Sequence, residues 1–207
     1  FVGLVGGDRV WLPRVVFPPG EDLRWETAAR VYRVLPLAWE AVVGTNEPGG
    51  RALAGVSASR GVGYVQIQAY RDPGEVSLLG RGPPRLYIIK SLIVRGDNLA
   101  DLEKALVLFA PLVDAFITDT CDPETGASGA TGKTHDWSIS RRLAEVSPRP
   151  LILAGGLNPE NVKEAILRVR PAGVDAHTGV EGPDGRKDAG KVEAFVKAAK
   201  EAFAMQP

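Results

Sequence analysis

The chain contains one cysteine, one methionine and two histidines in 207 residues, and its formal net charge is zero. A lone cysteine excludes an internal disulfide framework and fits a reducing cytoplasm, where the protein is expected to work. Zero net charge gives no global reason to bind nucleic acid or a membrane surface, so any anionic ligand must be held by local groups. No apolar run is long enough to span a bilayer, and no signal-peptide pattern is visible. His, Cys and carboxylate residues nowhere show metal-ligand spacing, so no metal is expected. Internal repeats, low-complexity tracts and composition shifts are also missing, which argues for one domain over residues 1–207. Few Asn and Gln beside many Arg, Glu and Pro suit a thermophile or a genome of biased base composition.

What the chain does have is apolar residues, 44% of the total and ample for a core, and a glycine-rich pattern late in the sequence. Leu151 to Ala154 reads as a buried strand followed by Gly155-Gly156-Leu157. Ala172 to Asp175 reads as a second, followed by His177-Thr178-Gly179. Between them Pro159 to about Val169 reads as a helix, with Asn158 as N-cap, Pro159 at the first helical position and Glu160 in the first turn. Apolar runs joined by a helix of this length are what a parallel sheet needs. Glycine after such a strand lets the main chain turn sharply and bring its amides close to an anion. One such turn is more often only a tight turn. Two on adjacent strands, late in the chain, favour a shared phosphate, which is where a (β/α)8 barrel builds its phosphate site.

Taken in order, Phe1 to Val5 is a buried strand with no lead-in; Phe1 is not Met, and the reading allows for residues before it. Gly6 to Arg24 is a long excursion, with a short hairpin between Arg9-Val10-Trp11 and Arg14 to Phe17. Helical spacing covers Trp25 to Leu35, weakly Gly49 to Arg60, briefly Asp72 to Gly80, then Asn98 to Leu108 and Trp137 to Val146, the last capped by Asp136. Strands are expected at Ala38 to Val43, Tyr64 to Gln68, Leu86 to Lys90 and Ala115 to Thr118. Strands and helices in alternation define a parallel α/β fold, and the late glycine turns select a barrel over a doubly wound sheet. The expected fold is therefore a (β/α)8 barrel, complete or with its first β/α unit missing or altered.

Asp119 directly follows an apolar strand, so its carboxylate should stand at the barrel mouth beside the glycine turns, where such residues read as catalytic more often than as loop caps. Cys121, two residues on, would share its face. Ala127 to Thr134 satisfies a relaxed P-loop pattern, but about seven residues separate it from the strand and Asp136 caps the next helix, so nucleotide hydrolysis is disfavoured.

The strings LILAGGLNPENVKEAI, GVDAHTGVE, GRKD and KVEAFVKAAKEAF, with DTCDPETGASGATGKTHDW upstream, resemble the phosphoribosylanthranilate isomerases of tryptophan biosynthesis. The likeness runs from about Leu35 to the end. It implies a cofactor-free Amadori rearrangement of a small phosphorylated sugar substrate: an acid protonates the ribose ring oxygen, the ring opens to a Schiff base, and a base removes the C2 proton. By this resemblance Asp119 is the acid, Asp175 contacts the ribosyl part, and Gly155, Gly156, Thr178 and Gly179 hold the phosphate. Asp175 could equally brace the amides of residues 177 to 179. Arg24 matches the family arginine that takes the anthranilate carboxylate, with Arg9 and Arg14 as alternatives. The glycine-rich stretch ending in Gly132-Lys133-Thr134-His135 follows the family's mobile loop, with His135 for the usual Phe.

Departures are as informative. His177-Thr178-Gly179 stands for Ser-Ser-Gly, and His177 is expected to pack away as a surface ring. The family's KICG-type segment, whose cysteine is the general base, has no counterpart. The string Val2 to Val5 is similar to the family's second strand, which would set the first strand and helix before this sequence. The other alignment, Phe1 to Val5 with the first strand and Val15-Val16-Phe17 with the second, leaves about nine residues for a crossover that needs at least ten to twelve, and puts Val2 where the cysteine should be. Cys121 is a poor substitute, because it lies on the acid's own strand. Two readings stay open: an isomerase whose base lies outside this sequence, monomeric or homodimeric, and a phosphosugar-binding barrel that has lost turnover.

Overall fold

The computed structural model describes residues 2–5, 9–11, 14–16, 39–43, 62–67, 72–79, 87–121 and 134–206. Nine strands form one sheet: β1 (Val2–Val5), β2 (Arg9–Trp11), β3 (Arg14–Val16), β4 (Trp39–Val43), β5 (Val62–Ile67), β6 (Tyr87–Val94), β7 (Ala115–Thr120), β8 (Leu151–Leu153) and β9 (Gly173–Ala176). Their order is β2-β1-β9-β8-β7-β6-β5-β4-β3. From β3 to β9 every neighbouring pair is parallel, as the alternating pattern predicts.

The first unit is the exception. β1 runs antiparallel to β9, pairing Val2 with Ala176 and Val5 with Gly173, and antiparallel to β2. The nine-residue gap that is too short for a crossover explains this: a chain that cannot cross over to a parallel neighbour turns back as a hairpin. Two expectations change. The hairpin partner of β2 is β1 and not the stretch from Arg14, and β3 instead lies parallel beside β4, in the second-strand place. The outer side of β9 is covered by β1, so it is not a bare edge.

Five helices are described: α1 (Pro73–Leu79), α2 (Leu99–Phe109), α3 (Trp137–Val146), α4 (Val162–Val169) and α5 (Ala189–Ala204). The helices expected at Trp25 to Leu35 and Gly49 to Arg60 lie outside the described residues. α2 buries Leu102, Leu106 and Phe109 at helical spacing, and α4 buries Val162, Ala165, Ile166 and Val169. The α4 stripe meets Phe195, Ala199 and Ala202 of α5 and Leu153 and Val174 of the sheet. Each large side chain fully buried there contributes roughly 1.5–3 kcal/mol. α3 starts where its cap requires: the Asp136 carboxylate accepts from the Ser138 N–H, which holds that carboxyl below the usual range. α4 starts three residues later than Pro159. Asn158 caps a preceding turn, accepting from the N–H groups of Glu160 and Asn161, and Asn161 takes the N-cap place.

The two faces of the sheet have different contents. Outward side chains such as Ile88, Leu92, Phe116 and Leu153 meet the helices, whereas Ile89, Ile117, Ile152 and Ala154 form a separate inner cluster. Lys90 belongs to the outer layer, its ammonium donating to the Ser91 carbonyl at 2.8 Å above the Phe109 ring, and burial pushes its pKa down to about 8.

Candidate active site

Strand register fixes where the candidate residues stand. Ile117 pairs with Ile152, and Leu153 with Val174. Continued towards the carboxyl ends, two residues past Ile117 and one past Val174, this register sets Asp119 and Asp175 level with Ala154, one on each side. Alternation settles the face: Ile117 and Ala154 are inner residues and Val174 and Ala176 outer ones, so Asp119 and Asp175 both point inward. Their strands are separated by β8 alone, which puts the backbones about 10 Å apart. Both aspartates are half-buried, and Oδ1 of Asp119 accepts from the Thr120 N–H at 2.9 Å.

β7 extends two residues beyond Thr118, because β6 is long enough to pair Ile93 with Asp119 and Val94 with Thr120. Asp119 is thus held inside a strand, a firmer setting than the loop position the sequence suggests. β8 is shorter than expected. The Thr118 hydroxyl accepts from the Ala154 N–H at 3.0 Å and donates to the Ala154 carbonyl at 3.2 Å, replacing ladder partners with a side chain.

The turns after β8 and β9 meet. Gly155 and Gly156 have φ of 102° and 64°, values that favour glycine. Gly179 lies in a short 3-10 turn, Thr178–Val180, where a Cβ would overlap the Leu157 carbonyl oxygen and come 2.9 Å from Asn158 Cβ. Leu157 and Val180, one from each turn, are buried in the same cluster. Two glycine turns in contact, at the carboxyl ends of neighbouring parallel strands with two inward carboxylates beside them, make a mouth suited to a small anionic ligand.

His177 is half-buried beside Glu181 and not fully exposed at the surface. Its Nδ1 is 3.5 Å from Glu181 Oε1, and Lys187 donates both to the His177 carbonyl at 2.9 Å and to Glu181 at 2.6 Å. Cys121 is half-buried and its N–H donates to the Val94 carbonyl. The P-loop reading is not supported, since residues 134–136 carry no helix before α3 opens at Trp137. Arg24 and residues 127–133 of the glycine-rich stretch lie outside the described residues.

A family model described as N-(5'-phosphoribosyl)anthranilate isomerase matches residues 63–198. The chain belongs to that isomerase family. N-(5'-phosphoribosyl)anthranilate isomerase 2 of Methanosarcina mazei is 39% identical over 176 residues, spanning 85% of this chain and 76% of the relative. Among solved structures, phosphoribosyl anthranilate isomerase from Thermotoga maritima superposes with a TM-score of 0.72 at 32% identity, covering 91% of this chain and 87% of that one. A further isomerase, in complex with reduced 1-(o-carboxyphenylamino)-1-deoxyribulose 5-phosphate, gives a TM-score of 0.70 at 29% identity, covering 91% and 86%. The (β/α)8 barrel is therefore the fold, with an altered first unit.

Several site residues escape a reading by motif. Thr118, Thr120, His135 and Asn161 all touch the first glycine turn or its approach, Asn161 by donating its side-chain amide to the Gly156 carbonyl at 3.0 Å. A usable signal was present in β7: the alternation that turns Asp119 inward turns Thr118 and Thr120 outward, where buried hydroxyls require partners.

Proposed function

We propose that the chain catalyses the Amadori rearrangement of N-(5'-phosphoribosyl)anthranilate, with Asp119 as general acid. What carries this reading is the contact of the two glycine turns, together with a strand register whose continuation sets two inward aspartates beside them. The phosphate lies against the backbone of Gly155, Gly156 and Gly179, with the Thr178 hydroxyl as a further donor. This seats the ribose over Ala154, between the two carboxylates. Asp119 protonates the ring oxygen and Asp175 holds the sugar hydroxyls. A proton must reside on Asp119 before ring opening, and the phosphate brought close to it favours that form. Arg24 takes the anthranilate carboxylate.

The base that removes the C2 proton must face Asp119 across the sugar. Cys121 cannot do so, standing on the acid's own strand about 7 Å further on, and it is assigned no step. A second reading, a barrel that binds the phosphosugar without turning it over, is favoured by one observation. A parallel first strand would end at the mouth, whereas antiparallel β1 presents its first residue, Val2, opposite Ala176.

Steady-state kinetics on the phosphoribosylated anthranilate tests both. Asp119→Asn is expected to lower kcat by about 1000-fold with KM within threefold, as loss of a general acid requires. Retention of kcat contradicts the assignment. Binding of the product analogue by the unaltered chain without turnover favours the second reading.

A further inference from the structure

The first glycine turn rests on a partly buried hydrogen-bonded chain that the catalytic assignment does not use. Thr120 Oγ1 lies 2.9 Å from His135 Nδ1, and His135 Nε2 lies 2.6 Å from Ser140 Oγ. Thr120 is 4% exposed and Ser140 not at all. The chain ties the end of β7 to the first turns of α3, with the imidazole as the link. Burial pushes the ring's pKa down to about 4, against a smaller opposing pull from Asp136. The ring is therefore neutral at physiological pH, with one donor and one acceptor nitrogen, and a hydroxyl at each end can complement either tautomer.

The link is built against the phosphate turn. A Cβ on Gly155 would overlap Thr120 Oγ1 and come 3.1 Å from His135 Nδ1, so the main chain turns directly on the Thr120–His135 bond. The residues on either side are held as well, Ala154 by the Thr118 hydroxyl and the Gly156 carbonyl by Asn161. Ala154 and Gly156 are thus held by side-chain hydrogen bonds, and Gly155 between them lies packed against Thr120 and His135.

We propose that His135, bridging Thr120 and Ser140, is a positioning residue that sets the Gly155–Gly156 turn in its anion-binding conformation. It acts through the backbone and contacts no reacting atom, so it governs affinity for the phosphate group and not the proton transfers. This inference rests on the phosphate site of the preceding section.

Inorganic phosphate is the probe, titrated by calorimetry and as a competitive inhibitor of turnover. Thr120→Val keeps the shape and removes the hydroxyl, and His135→Phe removes both bonds. Each is expected to weaken phosphate binding and raise KM about tenfold, with kcat within twofold. His135→Gln, whose amide supplies a donor and an acceptor, is expected to recover most of the loss; a residue that only fills space would not distinguish Gln from Phe in this way. Ser140→Ala, at the far end, is expected to give a smaller loss, about threefold. If the unaltered protein binds phosphate and Thr120→Val binds it equally well while folded, the positioning role is overturned and the phosphate site stands. If the unaltered protein does not bind phosphate, the site itself is overturned and this inference with it. Should His135→Phe fail to fold, Thr120→Val decides alone.

Discussion

The two glycine turns at the mouth of this barrel look alike in sequence and are built differently. Gly155 and Gly156 need their positive φ, and what crowds Gly155 is side chains, those of Thr120 and His135. Gly179 has no positive φ, and what crowds it is backbone, the Leu157 carbonyl of the other turn. The first turn is shaped by torsion and tuned by neighbours that could be substituted. The second is wedged against main chain that no substitution can trim. Glycine thus serves torsional freedom in one case and close approach in the other.

Alanine substitution should separate the two cases. Gly179→Ala is expected to have the largest effect, about 4 kcal/mol in chemical denaturation, because one of two backbone segments must move. A loss below about 1 kcal/mol would mean that the turns are not in contact. Acid should act on the first turn through His135. His135 has a folded pKa of about 4 against an ordinary 6.5, so the unfolded chain binds the extra proton between these values. Its contribution is fully present above pH 6.5 and is lost as the pH falls through 4, up to about 3 kcal/mol. His135→Gln should remove that part of the acid slope while leaving the part due to carboxylates.

Gly155→Ala is expected to cost about 2 kcal/mol from its backbone conformation and the displaced hydroxyl. In a Thr120→Ala background about 1 kcal/mol of this should return, measured as a double-mutant cycle, whereas no side-chain truncation should rescue Gly179→Ala. Smallest is Asp136→Ala, about 1 kcal/mol in stability from loss of the α3 cap.

The same contrast explains what could be read without coordinates. The limits of α3 follow from local chemistry, since the Asp136 cap and the apolar spacing from Trp137 lie in one short stretch. Asp119 and Asp175 were legible as strand-end carboxylates, and register then brought them level. Asn158 misled because its side chain caps a turn and not the helix, while Asn161 takes the N-cap place with its own side chain bonded back to the Asn158 N–H and the Gly156 carbonyl. The links from Thr118 to Ala154 and from Thr120 through His135 to Ser140 join segments that no short motif spans. The direction of β1 was foreshadowed by its short connection, although pairing with β9 depends on the whole sheet.

In the proposed mechanism both turns hold one phosphate while Asp119 faces the sugar attached to it. A crystal structure of this chain with reduced 1-(o-carboxyphenylamino)-1-deoxyribulose 5-phosphate tests it most directly. The phosphate is expected within hydrogen-bonding distance of main-chain N–H groups from both turns, and the Asp119 carboxylate against the sugar. A phosphate bound by one turn alone, or an Asp119 carboxylate directed away from the ligand, would contradict it.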